Sequence, residues 1–209
     1  MIRIGLIGTG YWGPNVATSF KATGRAQLAW ICDTNASALA AFSQRHPDAR
    51  TTTNFRDVLA DQTVDAVAIV TPTETHYPLA KAALEAGKHV LVEKPMSTNP
   101  EHVEALIALS DASRRVLMVG HVFQYNATLR ALKDLISAGD LGSVNYLNLV
   151  RTNLGPVRTD VNALWDLASH DAYIMIDLLG SAPETVSAFG RAYLNPSVED
   201  VVFATFTFA

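Results

Sequence analysis

Three groupings of side chains in this sequence have the types and spacing to do chemistry. The first is "VEKP", residues 92–95, where Glu93 and Lys94 break an apolar run at its end. Charged groups in such a place need partners when buried. The bond to Pro95 is also of the kind that adopts cis, which would aim the Lys94 side chain. A surface turn after an edge strand is the plainer reading. The second is "LWDLASHDAY", residues 164–173. On a helix, Asp166 and His170 are four apart and share a face. A carboxylate one turn from an imidazole orients it and stabilises its charged form. Imidazole in turn moves protons near neutral pH. Here the plainer reading is a helix start with Asp166 as a cap and His170 satisfied locally. Trp165 beside them suits packing, with substrate contact as the alternative.

The third grouping is "IGLIGTGYWGPN", residues 4–15, with Gly8, Gly10 and Gly13 directly after a strand-like run. Gly8 permits a tight turn, Gly10 lets the backbone approach a pyrophosphate, and Gly13 lets helix and strand pack closely. A helix starting at Pro14 presents its N-terminus to phosphate. Asp33 lies 20 residues after Gly13, at the end of the second strand. A carboxylate there accepts from both ribose hydroxyls and repels a 2′-phosphate, so the spacing points to NAD rather than NADP. Thr9, Tyr11 and Trp12 inside the turn are further cofactor-contact candidates. The third strand ends in "TPTETH", which places Thr71, Pro72 and Thr73 at the cofactor edge of the sheet. His76 reads as a further contact there, or as a surface or capping residue. A nicotinamide site needs a proton carrier beside the ring, a task Lys94 and His170 could share from opposite walls of one cleft.

These groups require elements to hold them. Five short apolar runs, Ile2–Gly8, Gln27–Asp33, Ala66–Thr71, His89–Glu93 and Val116–Gly120, alternate with helical patterns. Near-continuous apolar strands between helices predict a doubly wound parallel sheet over residues 1–121. From residue 122 the pattern changes. A helix ends at Gly139, "SVNYLNLVRTN" alternates like a half-buried strand, a helix ends at Gly180, and two more strands follow. Residues 122–209 therefore read as an α+β domain with a sheet of about three strands. Its last strand stops at Ala209 with an open edge, so the domain is expected to be incomplete.

The chain has 209 residues, 49% hydrophobic and 17% charged, with a formal charge of −4. That is ample for an ordered core. The scattered basic residues argue against nucleic acid. Cys32 is the only cysteine, which excludes an intrachain disulfide and a cysteine-based metal site; no metal is expected. No run approaches the roughly 20 apolar residues of a membrane span, and no leader pattern precedes the first strand. The expected compartment is the cytoplasm.

Taken together, "GLIGTGYWGPN", "TPTETH", "EKP" and "WDLASHD" resemble the Gfo/Idh/MocA oxidoreductases in order along the whole chain. The resemblance implies a Rossmann domain followed by an open-sheet domain, and NAD(P)-dependent oxidation or reduction of sugars, cyclitols and related alcohols. It implies that Lys94 contacts substrate and the nicotinamide side, that His170 is the acid/base with Asp166 its partner, and that Glu93 approaches the nicotinamide ribose or amide. The stretch "LGPVRTDVNALWDLASHD" is similar to the subgroup of UDP-N-acetylglucosamine 3-dehydrogenases and related UDP-amino-sugar dehydrogenases. That implies oxidation of a sugar 3-hydroxyl to a ketone, with Tyr125, Arg158 and Asn162 as substrate contacts. The alternatives are a free polyol or sugar such as inositol or glucose, and an NAD-binding sensor without turnover. Members of the family are longer, and the open sheet implies a homo-oligomer.

Overall fold

The computed structural model describes residues 1–152 and 158–209. It divides into two units, Met1–Gly120 and His121–Ala209. The first alternates strand and helix in the order β1 (Ile2–Ile7), α1 (Gly13–Ala22), β2 (Ala26–Cys32), α2 (Ala36–Ser43), β3 (Arg50–Thr52), α3 (Phe55–Ala60), β4 (Ala66–Ile69), α4 (His76–Glu85), β5 (His89–Val92), α5 (Pro100–Ser113) and β6 (Leu117–Val119). The six strands are parallel and lie in the order β3-β2-β1-β4-β5-β6. This is the Rossmann arrangement, and strand order reverses between β1 and β4. Sheets of this kind take ligands outside the carboxyl ends of the strands at that reversal.

Successive strand residues face opposite sides, and both sides are covered. Ile4, Leu6, Ile31, Ala68 and Val70 pack with Val16, Ala17, Leu39 and Phe42 of α1 and α2. Ile7, Val67, Ile69, Val90 and Val92 pack with Val58, Ala80, Leu84 and Leu106 of α3, α4 and α5. That is why the strands read as unbroken apolar runs rather than alternating ones. Local signals set the helix starts. Pro14 stands in the first turn of α1, and the Asn99 side chain accepts the Glu101 N–H at the start of α5. Five strands were expected and six form. The extra one, β3, is Arg-Thr-Thr at the sheet's edge with little burial, so it lacks the apolar run that marks the others.

The second unit contains α6 (Ala127–Ala138), α7 (Ser169–Leu179), β7 (Thr185–Arg191) and β8 (Val201–Thr207). The Asn126 side chain caps α6 by accepting from Thr128 and Leu129, and Gly139 closes it in a left-handed conformation. Lys133 on α6 pairs with Asp177 on α7 at 2.6 Å. Strands β7 and β8 form one antiparallel hairpin, Thr185 opposite Thr207. The strand expected over "SVNYLNLVRTN" is not formed: residues 144–152 carry no ladder among the described residues, and Asn153 lies outside them. Alternation alone does not make a strand, because its backbone groups need a neighbouring edge. Among the described residues this sheet therefore has two strands rather than three. Among the described residues no helix is long and apolar enough to cross a membrane.

Candidate functional site

The turn between β1 and α1 is shaped by where its glycines touch protein. Gly8 has φ +103°, and a Cβ there would overlap the Val70 carbonyl oxygen at the end of β4. Only glycine fits both the conformation and the gap. A Cβ at Gly13 would lie 2.8 Å from the Gly8 carbonyl oxygen, so the first turn of α1 rests directly on the start of the loop. At Gly10 a Cβ would meet no described atom within 4 Å. Two glycines are thus held by packing and the middle one has an open face, beside a helix start whose dipole favours negative charge. Tyr11 is exposed in the same turn.

Asp33 has a structural task besides the expected one. Its Oδ2 accepts from the Thr9 backbone N–H and the Thr9 hydroxyl, each at 2.7 Å. Its Oδ1 accepts the Asn35 N–H at 2.8 Å. The carboxylate therefore ties the glycine turn to the end of β2. Three of its roughly four lone-pair directions are thus taken, which leaves capacity for about one further bond from a ribose hydroxyl. Burial, followed by the charges of Asp33 and Asp57, pushes the neighbouring Cys32 thiol up to about 11, which leaves it protonated and inert.

The ends of β4 and β5 carry the remaining first-unit candidates. Thr71 Oγ1 accepts from Thr75 Oγ1 at 2.7 Å. Pro72 contributes its carbonyl to the same hydroxyl, and Thr73 is buried. The surface reading of His76 is corrected: it is 1% exposed. Its Nδ1 lies 2.8 Å from the Pro95 carbonyl oxygen and its Nε2 2.8 Å from that of Thr71. "TPTETH" winds directly into α4, which turns the imidazole under the sheet's edge instead of into water. Lys94–Pro95 is cis. The Glu93 carboxylate accepts the Lys94 N–H at 3.3 Å. Burial holds its pKa above the usual carboxylate value, opposed by the Lys94 N–H and charge and by Trp12. A Cβ on Gly120, at the end of β6, would sit 2.9 Å from that carboxylate. The Glu93 carboxylate thus sits between the segment bearing Lys94 and the end of β6.

In the second unit the helix over residues 164–179 is not uniform. Leu164–Ala168 is π-helical, and α7 starts at Ser169. Asp166 lies in the wider turn and His170 in the first turn of α7, so the simple one-face relation of an unbroken α-helix is altered there. π-Bulges occur often at functional sites. Asn162 accepts the Trp165 N–H through Oδ1 at 3.1 Å, and Trp165 is part-exposed. Arg158 pairs with Asp160 through two bonds of 2.7 and 2.8 Å and stands 3.6 Å from Asp166. Its hydrogen bonds to Asp160 raise its pKa above the ordinary value, against burial, with the charges of Asp160 and Asp166 adding. Tyr125 is exposed beneath Arg130. The "LGPV" opening of the resembling stretch, 154–157, lies outside the described residues.

Spacing gives no hint of the arrangement beneath His170. Arg151 bonds Asp171 at 2.7 and 3.1 Å, and Asp171 is 9% exposed. The same guanidinium lies 4.8 Å over the Phe123 ring, and Phe123 meets the His170 imidazole edge-on at 4.9 Å. Asp171 follows His170 in "SHDAY", which was the one available signal. Nothing in the sequence links it to a residue 20 positions earlier.

The open-faced Gly10, the closed Gly8 and Gly13, and Asp33 at the end of β2 fit a dinucleotide. A family model described as the oxidoreductase family, NAD-binding Rossmann fold, matches residues 2–121, and the GFO/IDH/MocA C-terminal domain matches residues 129–209. The chain is 34% identical over 95% of its length to UDP-N-acetylglucosamine 3-dehydrogenase of Acidithiobacillus ferrooxidans, covering 61% of that protein. It is 27% identical to inositol 2-dehydrogenase of Rhizobium meliloti, covering 95% of this chain and 61% of the other. The WlbA dehydrogenase from Bordetella pertussis, solved in complex with NADH and UDP-GlcNAcA, superposes with a TM-score of 0.85 at 30% identity over 98% of this chain and 63% of that one. The chain thus spans about three-fifths of the length of these relatives. With both of its units matched in order, the chain belongs to the GFO/IDH/MocA family of NAD-binding oxidoreductases.

Proposed function

We propose that this chain belongs to an NAD-dependent dehydrogenase of the cytoplasm that oxidises a secondary alcohol of a sugar, the 3-hydroxyl of a UDP-N-acetylamino sugar, to a ketone. The observation that supports the reading is the place of Lys94 directly after β5, at the same carboxyl edge of the parallel sheet as the glycine turn that follows β1. Similarity to the UDP-N-acetylglucosamine 3-dehydrogenase supports the substrate class.

NAD, when bound, supplies the hydride acceptor. Gly8, Thr9, Gly10 and Gly13 hold the pyrophosphate with Tyr11 and Trp12 flanking it, and Asp33 holds the adenosine ribose. Thr71, Pro72, Thr73 and Glu93 border the nicotinamide half. His170 takes the proton from the substrate hydroxyl, and Asp166 stabilises the imidazolium that results. Lys94 donates to the same oxygen and steadies the alkoxide as the C–H bond breaks. Arg158, Asn162, Tyr125 and Trp165 contact the sugar nucleotide. Apolar side chains left exposed on β7 and β8, Phe189 and Phe203 among them, support a homo-oligomer.

The test is NADH absorbance with UDP-N-acetylglucosamine, UDP-N-acetylglucosaminuronate, inositol and glucose. His170→Ala is expected to lower kcat by about 10²–10⁴-fold, with Lys94→Met comparably low. Turnover confined to the free polyols would favour the second reading, which the inositol dehydrogenase similarity supports. NAD binding without turnover on any substrate would contradict both.

A further inference from the structure

We propose that His76 is a positioning residue for Lys94, acting through an Nδ1–H bond donated to the Pro95 carbonyl. The inference rests on the reading of Lys94 as the amine that meets substrate.

The imidazole is buried between two loops of the sheet's carboxyl edge, and each ring nitrogen lies 2.8 Å from a backbone carbonyl oxygen. One belongs to Thr71 at the end of β4, the other to Pro95 immediately after Lys94. Carbonyl oxygens only accept, so a ring nitrogen bonds one only when it carries a proton. A neutral imidazole has one such nitrogen, so its tautomer decides which loop is held. The Thr71 carbonyl follows β4, which is anchored by ladders to β1 and β5 on both sides. Pro95 has no backbone N–H to bond with and lies past the last β5–β6 ladder pair, Val92 with Val119. The Pro95 side is therefore where a side-chain bond adds the most constraint. Holding the carbonyl of residue 95 limits how the adjoining Lys94 backbone can swing. Misplacement of a reacting group by about 1 Å can cost roughly 10²-fold in rate.

Two substitutions separate the two bonds. Asparagine carries its amide nitrogen near the place of Nδ1, and glutamine near that of Nε2. His76→Asn is expected to keep kcat within about threefold. His76→Gln is expected to lose about tenfold or more, with KM for substrate and the Kd for NAD nearly unchanged in both. A merely structural role would lower both variants together, so equal losses or the reverse order would overturn the proposal. Long-range ¹H–¹⁵N NMR of the wild-type chain decides independently of how the variants fold. A protonated Nδ1 at position 76 is expected, and a proton on Nε2 alone would overturn the assignment. If Lys94→Met left turnover intact, the reading of Lys94 would fail, while the NMR result would still report the His76 bond.

Discussion

The two units solve the problem of burial differently. In the first, helices cover both faces of the sheet's inner strands, and side chains such as Leu6, Ile69, Leu84 and Val92 are fully enclosed. In the second, the buried apolar residues among those described are Val161, Ile174, Met175 and Leu178. The β7–β8 hairpin leaves Phe189 68% and Phe203 61% exposed. The contrast teaches that the dinucleotide cradle sits on a frame closed by its own helices. Asp166 and His170, proposed for proton transfer, belong to the unit whose hairpin is largely exposed.

Leu84→Ala breaks the comparison most strongly. It should cost about 2–5 kcal/mol in urea unfolding, whereas Phe203→Ala should cost under about 1.5 kcal/mol. Equal costs would mean that the hairpin is as well packed as the sheet. Gly8→Ala should come next, at about 1–3 kcal/mol from the positive φ and the overlap with the Val70 carbonyl. Calorimetric titration should show NAD binding lost. Arg151→Met leaves Asp171 without its guanidinium and should cost about 1–3 kcal/mol. It also removes the support over Phe123, so kcat should fall while NAD affinity holds, confining the damage to the second unit.

The smallest expected effect tests electrostatics in the first unit. The pKa of Glu93 is raised chiefly by burial, so over the interval between its unfolded and folded values the native state binds more protons. Its contribution therefore weakens stability as pH rises through that interval. Glu93→Gln should melt at a higher temperature than wild type at pH 8, and the gap should close below about pH 4. A gap that widens in acid would reverse the sign.

Much of the first unit was legible because its signals are local. Strand runs, Pro14 at a helix start, and the glycine turn each follow from a short window of sequence. β3 escaped because Arg50–Thr52 owes its strand to the neighbouring edge of β2, not to its own side chains. His76 reads from sequence as a cofactor contact or as a surface or capping residue, because nothing in "TPTETH" foretells two carbonyl partners from separate loops. In the second unit the helices are legible from their helical patterning and the closing Gly139 and Gly180. The π turn at Asp166 and the Arg151–Asp171–Phe123 arrangement depend on packing between distant segments, which spacing does not encode. Gly120 carried no motif either. Its need for a hydrogen side chain arises only from the Glu93 carboxylate on the adjacent strand.

We propose that Lys94 and His170 act on one alcohol. A double-mutant cycle in kcat/KM with Lys94→Met and His170→Ala tests it most directly. Groups that act as a unit are strongly non-additive, so the double variant should fall little below the worse single one. Losses that multiply, or a wild type that forms no NADH from any sugar, would contradict it.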